Sequence, residues 1–586
     1  MQKDNQKRSL KWGLLAKIFA LALPYKTKFF TAVFLTLSLA VLGPLRPYLI
    51  QHTLDTYVGT GDAVGLLNFS LLLGFLLLLQ SLIQWWSTLL ANFLGQQIIY
   101  DLRNRVYKHL MSLKLKYYDQ TPVGTMVTRS ISDIETISEV FSEGLINIVG
   151  DILQILVLLI LMFGTHAKLS LVCLSVLPLL FYSGYLFKEK IKGSFEDVRN
   201  QVAILNTFVQ EHLSGMQLVQ LFNREPAELS KFKEINKAHQ DAHIRSVFYY
   251  SVFFPVVEVL SAIAIGLLVW YGAKGVLAEE ISIGVLVAFI LYLNLFFRPI
   301  RQLADRFNNL QMGMIAGERI FQLIEDTNPI ETEGQQTLTS TKGHIAFKDV
   351  SFAYLPNQPI LKNIDFSVQP GKTIALVGKT GAGKSSIINL LSRFYDIQSG
   401  EILLDGTNIN QYTLGSLRNK ISVVMQDVFL FNGSILENIQ LYNKNLSEDK
   451  VIATAKLLGA HDFIMRMPHG YHQMITERGS NLSVGQRQLI SFVRAMVTDP
   501  AILVLDEATS SIDHETEEII QLAIEKMRVG RSSIVIAHRL STIANADEIL
   551  VLEKGAIVER GTHQSLLLTK GYYSNLYEKQ FTVSAI

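Results

Sequence analysis

The residues best suited to chemistry are Gly378, Lys379, Thr380, Gly381, Ala382, Gly383, Lys384 and Ser385, with Ser386 directly after them. Glycines at this spacing let backbone N–H groups curl around phosphate oxygens, and the N-terminus of a following helix favours the same negative charge. Lys384 is expected to reach the β- and γ-phosphates of a nucleotide and Ser385 to ligate Mg²⁺, so the pattern implies ATP and Mg²⁺ as cofactors. The flanking sequence supplies the context this loop needs, because an apolar strand-type run over 374–377 enters it and a helical pattern over 386–391 leaves it. Farther on, an apolar run over 501–505 ends in Asp506 and Glu507. Asp506 is placed to hold the magnesium shell and Glu507 to polarise the attacking water. His538 follows another strand-type run and is expected at the γ-phosphate; an isolated histidine is more often structural, but the register with the loop favours function.

These residues need a domain of their own, and the chain has room for more than one. A length of 586 residues exceeds what one hydrophobic core supports, and 49% hydrophobic with 18% charged residues suggests a membrane part joined to a water-soluble part. A formal net charge of only +2 gives no global field, and no nucleic-acid partner is expected. The single cysteine, Cys173, excludes an intrachain disulfide and a Cys-rich metal site; it lies in an apolar run and reads as a small hydrophobe.

Apolar stretches long enough to cross a bilayer fall near 28–50, 64–94, 145–164, 167–187, 248–272 and 281–300. The segments 97–144 and 188–247 are rich in Lys and Arg and 51–63 has none, which places both long loops and both termini in the cytoplasm. The expected organisation is an N-terminal cytoplasmic or interfacial helix over 1–27, a transmembrane domain over 28–310, a linker over 311–342 and a soluble α/β domain over 343–586. Apolar residues at three- and four-residue spacing over 97–118 and 188–212 predict that the spans continue as helices into the cytoplasm, with breaks at 119–124 and 206–215 where short transverse helices form. Within the spans, Glu258 and Asn294 are candidates for a substrate cavity; structural pairing competes with that role for Glu258, and interhelical bonding for Asn294. Asp151 and Arg46 are weaker candidates near span ends.

The run Asn481, Leu482, Ser483, Val484, Gly485 and Gln486, just ahead of the Asp506 strand, resembles the signature of ATP-binding cassette (ABC) proteins. The resemblance covers the whole chain and implies a helical membrane domain of six spans with long cytoplasmic extensions, followed by an α/β P-loop cassette. It implies Tyr354 as the adenine-stacking aromatic, Gln426 as a residue linking Mg²⁺ to the membrane part, and Asp513 in the segment 510–513 that meets the partner cassette. The segment 476–479 resembles the exporter-specific stretch before the signature, and six spans ahead of one cassette look like a bacterial half-transporter of the multidrug and lipid exporter type. Such a protein sits in the cell inner membrane and works as a dimer, each ATP lying between one chain's phosphate loop and the other's Ser483–Gln486 equivalent. The two loop breaks match the family's coupling helices, which fit cassette grooves near Gln426.

One position departs from the pattern: the family usually has Gly where this chain has Val484. A branched side chain there could crowd the partner's γ-phosphate, which slightly favours a heterodimer with a different half over a homodimer. The resemblance implies ATP-driven export of hydrophobic or amphipathic compounds, with a lipid (lipid A-like) flippase as the rival. An ATP-gated channel or regulator is disfavoured by Glu507, since a gate opens on binding alone whereas a pump hydrolyses ATP each cycle.

Overall fold

The computed structural model describes residues 12–141, 145–325, 334–443, 445–506, 514–536 and 543–578. The chain divides into two units, Met1–Met111 with Val123–Thr327, and Ser112–Pro122 with Asn328–Ile586.

The first unit is built on long helices: Lys26–Thr53, Ala63–Met111, Leu145–Leu174, Leu177–Ser214, Glu225–Leu277 and Ile283–Glu325. Five carry stretches long and apolar enough to cross a membrane. Leu67, Leu71, Phe75, Leu78 and Leu82 stay exposed along the second. A row of exposed leucines this long suits hydrocarbon rather than water as its surroundings. Two breaks interrupt the helices over 145–187. His166 leaves helical backbone (φ −160°, ψ 97°), and its Nδ1 accepts from the Leu169 N–H at 3.1 Å, capping the resumed helix at the expected boundary between 164 and 167. The fourth expected span, 167–187, is interrupted between Leu174 and Leu177, because Pro178 lacks an N–H and opens a new helix; the apolar part of that helix, Leu177–Phe187, is shorter than the others.

The extensions beyond the apolar stretches are helical to Met111 and Ser214. The first break corrects the expected position: the short helix is Leu115–Gln120, largely ahead of 119–124 rather than within it, and the chain is helical again from Val123 after Pro122. The second corrects the expected position: Asn206 lies inside a continuous helix that ends only at Ser214, before Gly215, and the short element is Met216–Leu221, just after 206–215 rather than within it. Arg224 then precedes Glu225–Leu277, whose first turn contains a proline.

Polar contacts fix the last helix, Ile283–Glu325, along its length. At its start the Asp55 carboxylate accepts from the Ser282 hydroxyl at 2.7 Å and from the Gly284 N–H at 2.9 Å. Lower down, Arg306 pairs with Asp151 and donates to Gln302 at 2.8 Å. Arg319 meets Asp133 at 3.5 Å, and Lys17 meets Glu325 at 2.7 Å. Burial raises the Asp133 carboxyl above the usual range, with Arg319 opposing the rise. The helix Trp12–Ala20 belongs to this set: Leu15 and Ile18 are buried, and a Cβ on Gly317 would meet Ile18 Cδ1 at 3.1 Å. Cys173 is fully buried among Leu158, Leu169, Leu268 and Phe289, as a small hydrophobe should be.

The second unit carries the α/β domain. A six-stranded sheet runs in the order Ala556–Gly561, Glu548–Glu553, Thr373–Val377, Ser532–Ile536, Ile502–Asp506, Ile421–Val424, parallel except at the Ala556–Gly561 edge. Thr373–Val377 and Ser532–Ile536 are buried at every residue, which is why their stretches 374–377 and 534–536 read as continuous apolar runs rather than alternating ones. A second sheet, of four strands, includes Ile345–Phe352 paired with Leu361–Val368 and Ser399–Leu404. Helices Ile435–Gln440, Glu448–Leu457 and Val484–Met496 close one side of the core around Leu489, Phe492 and Val493.

One titratable contact holds the turn between Ser214 and Glu225. His212 Nε2 lies 2.9 Å from Glu228 Oε2, joining the end of Leu177–Ser214 to the start of Glu225–Leu277. The hydrogen bond to Glu228 raises the His212 pKa above 6.5, and the same bond lowers that of Glu228 below 4.5. The histidine contribution is full below its unfolded value and is lost as pH rises through the raised one; the glutamate contribution is full above its unfolded value and is lost as pH falls through the lowered one. Backbone hydrogen exchange over 212–228, corrected for intrinsic base catalysis, should therefore be slowest between the ordinary glutamate and histidine ranges and accelerate as pH rises above the ordinary histidine range. His212→Ala should flatten that profile, and an unchanged profile would show that the pair does not hold the turn.

Candidate functional site

The phosphate-type loop is positioned by the sheet. Thr373–Val377 is flanked on both sides by parallel strands, so the chain emerges at its C-terminal end beside the ends of Ile502–Asp506 and Ser532–Ile536. Helix Lys384–Leu391 begins directly after the loop, with Gly383 as its N-cap at φ +103°, a left-handed conformation that favours glycine. A Cβ on Gly383 would meet Leu361 Cδ2 at 2.6 Å, so any larger residue is blocked twice over. Gly378 is required by close approach instead, since a Cβ there would press on the Leu552 carbonyl.

Lys384 is only 7% exposed and donates to the carbonyls of Gly378 at 2.6 Å and Lys379 at 3.1 Å. Burial lowers its pKa, and the neighbouring Asp506 charge acts against that shift. This places the strand-end carboxylate within electrostatic reach of the loop ammonium. The cradle therefore has side-chain-free glycines, a helix N-terminus, one buried cation and one half-buried carboxylate, a donor set that fits a magnesium nucleotide. Ser385 and Ser386 occupy the first turn of the helix. Glu507, Asp513 and His538 lie outside the described residues.

Tyr354 is half-buried at the same helix. Its hydroxyl lies 3.2 Å from Ser386 Oγ and accepts from Asn389 Nδ2 at 3.1 Å, while its ring meets Phe352 and Tyr395 edge-on at 4.7 and 4.9 Å. Gln426 is exposed just past the end of Ile421–Val424. No spacing pattern in the sequence points to Tyr395, Asn389 or the half-buried Arg494, which donates to the carbonyls of Asn438 at 2.8 Å and Phe429 at 2.9 Å.

The segment resembling a signature forms a helix N-terminus. Ser483 is the N-cap of Val484–Met496: its hydroxyl accepts from the Gln486 N–H at 3.2 Å, and Gln486 Oε1 accepts from the Ser483 N–H at 3.0 Å, a reciprocal capping box. Val484 is the first helical residue and is 44% exposed, whereas Gly485 is buried. The branched side chain thus points away from its own core and disturbs nothing within the chain.

Glu258 and Asn294 are both exposed on their helices. The Asn294 amide donates to the Ile290 carbonyl of its own helix at 3.0 Å rather than spending that donor on a neighbour.

Comparison with known proteins matches both halves. Residues 29–300 fit the ABC transporter transmembrane region and 361–510 the ABC transporter domain. An uncharacterized ABC transporter ATP-binding protein of Bacillus subtilis (strain 168), YknV, is 37% identical over 581 residues, 98% of this chain and 95% of that protein. The probable multidrug resistance ABC transporter ATP-binding/permease protein YheH of the same organism is 37% identical over 519 residues, 88% of this chain and 77% of its own. An ATP-dependent lipid A-core flippase of Syntrophus aciditrophicus (strain SB) is 33% identical over 569 residues, 97% and 94% of the two chains. With its glycine cradle, its apolar helices and relatives matched along most of their length, the chain belongs to the ABC transporters, as an exporter half-transporter whose ATPase is coupled to transport.

Proposed function

We propose that this half-transporter exports hydrophobic or amphipathic compounds across the cytoplasmic membrane by alternating access, as one member of a dimer with both termini in the cytoplasm. The observation that carries the reading is the buried Lys384 on its glycine loop, in one chain with helices whose apolar faces stay exposed. Bound ATP with Mg²⁺ supplies the phosphoanhydride whose cleavage drives the cycle. Lys384 holds the β- and γ-phosphates, with the loop residues Gly378–Ser386 around them; Ser385, Gln426 and Asp506 hold the metal, and Tyr354 stacks on the base. Glu507 orients and polarises the attacking water, His538 contacts the γ-phosphate, and Asp513 meets the partner cassette. Ser483, Val484, Gly485 and Gln486 act on the partner's ATP, for which an exposed, capped helix N-terminus is suited. Glu258 and Asn294 contact the cargo. The relative named as a lipid A-core flippase supports a second reading, in which the cargo is a lipid.

Val484 is the one feature that argues for a different second half, and its exposed position is compatible with either kind of dimer. Hydrolysis of Mg-ATP by the purified chain, alone and with the product of an adjacent half-transporter gene, separates the two. Glu507→Gln should lower the rate at least about 100-fold. Val484→Gly should raise the rate of the lone chain several-fold if the branched side chain crowds the partner site; an unchanged rate removes the case for a different half. Inside-out vesicles carrying the active dimer should accumulate the amphipathic dye Hoechst 33342 or a fluorescent phospholipid on addition of ATP. Hydrolysis that moves neither would contradict the export reading for both cargo classes.

A further inference from the structure

The segment Ser112–Pro122 interrupts the first unit in sequence yet groups with the second. Its helix, Leu115–Gln120, has six residues and no side-chain cap at Lys114, too short to be stable unaided. Two consecutive residues hold its two ends. Lys114 Nζ donates to Asp396 Oδ2 at 2.8 Å, and the Tyr395 hydroxyl donates to the Asp119 carboxylate. Both ties are exposed; the Lys114 ammonium can turn any of three protons to its partner, whereas the single hydroxyl proton of Tyr395 makes its bond to Asp119 the more directional tie.

Tyr395 also touches Tyr354. Its ring stands perpendicular to that of Tyr354, at 90° and 4.9 Å, and meets Phe352 at 5.8 Å. Tyr354 is in turn anchored through its hydroxyl to Ser386 and Asn389, on the helix that follows the phosphate loop. An edge-to-face contact has a preferred geometry, so restricting one ring restricts the other.

We propose that Tyr395 is a positioning residue that carries the state of the base-stacking edge to the segment Ser112–Pro122, so that this segment responds to the adenine and not to the phosphates alone. The proposal rests on the reading of Tyr354 as the residue that stacks on the base. A base lying on Tyr354 orders that ring, the ordered ring fixes the Tyr395 edge against it, and the fixed hydroxyl holds Asp119. The coupling is an ordering of groups already in contact and needs no large displacement.

Hydrogen exchange on the full chain tests this without knowledge of cargo or partner. The non-hydrolysable analogue AMP-PNP with Mg²⁺ should slow exchange both over 378–388 and over 112–122, the latter about fivefold. Inorganic tripolyphosphate should protect only 378–388. Tyr395→Phe keeps the ring and removes the donor, and should retain protection of 378–388 while losing it over 112–122. Asp119→Ala should do the same, whereas Asp119→Asn keeps an acceptor oxygen and should restore most of the protection. Combining Tyr395→Phe with Asp119→Ala should cost no more than either change alone, since both break one bond. Protection of 112–122 by tripolyphosphate, or its survival in Tyr395→Phe, would overturn the proposal. If Tyr354→Ala leaves AMP-PNP affinity unchanged, the base-stacking reading fails instead and takes the relay with it.

Discussion

A lysine ammonium held at 7% exposure is the constraint on which the cassette depends. A buried cation is costly unless it is hydrogen-bonded, and Lys384 meets that demand by donating to two carbonyls of its own loop, near the carboxylate of Asp506. Both arrangements require the parallel sheet. The loop can fold back over Lys384 only because Thr373–Val377 ends between two neighbours, and Asp506 comes near only because its strand ends at the same edge. Gly378 and Gly383 then exclude the side chains that would fill the cradle. The ammonium is thereby held within the glycine loop by the loop's own carbonyls.

The membrane half obeys a different constraint. Helices surrounded by hydrocarbon gain little from burying apolar surface against one another, so packing detail and polar contacts decide how they associate. The last helix shows this most clearly, with Asp55, Asp151, Asp133 and Lys17 meeting it from its first turn to its last. Several of these contacts join residues far apart in sequence, so they fix the register of elements that apolar contact alone would leave free to slide.

Legibility followed the range of the interactions. The phosphate loop, its strand and its helix were readable because the chemistry is local: glycine spacing, an apolar run and a lysine lie within a dozen residues. The long helices were readable because a bilayer demands length and apolarity, although Pro178 splits the fourth in a way hydropathy averages over. Both short helices lie off their expected positions: Leu115–Gln120 comes largely ahead of 119–124, and Met216–Leu221 comes after 206–215, since Asn206 is tolerated within a helix whose true stop is Gly215. Tyr395 was invisible because its significance comes from two contacts, with Asp119 and with Tyr354, that no local pattern encodes. The roles of Glu507 and His538 rest on sequence register alone. Val484 was legible as a departure from the family pattern, and the capping box beneath it explains how the helix N-terminus keeps its form with a branched residue at its first position.

The most direct test of the account is the rate of Mg-ATP hydrolysis by the reconstituted full-length dimer, compared with that of Lys384→Ala at saturating nucleotide. If Lys384 exchanges loop carbonyls for β- and γ-phosphate oxygens, the substitution removes a preorganised cation and lowers the rate at least about 100-fold, with the fold retained by circular dichroism. A folded Lys384→Ala protein that hydrolyses ATP at the wild-type rate would contradict the account, because the feature around which the cassette is organised would then do nothing for the reaction.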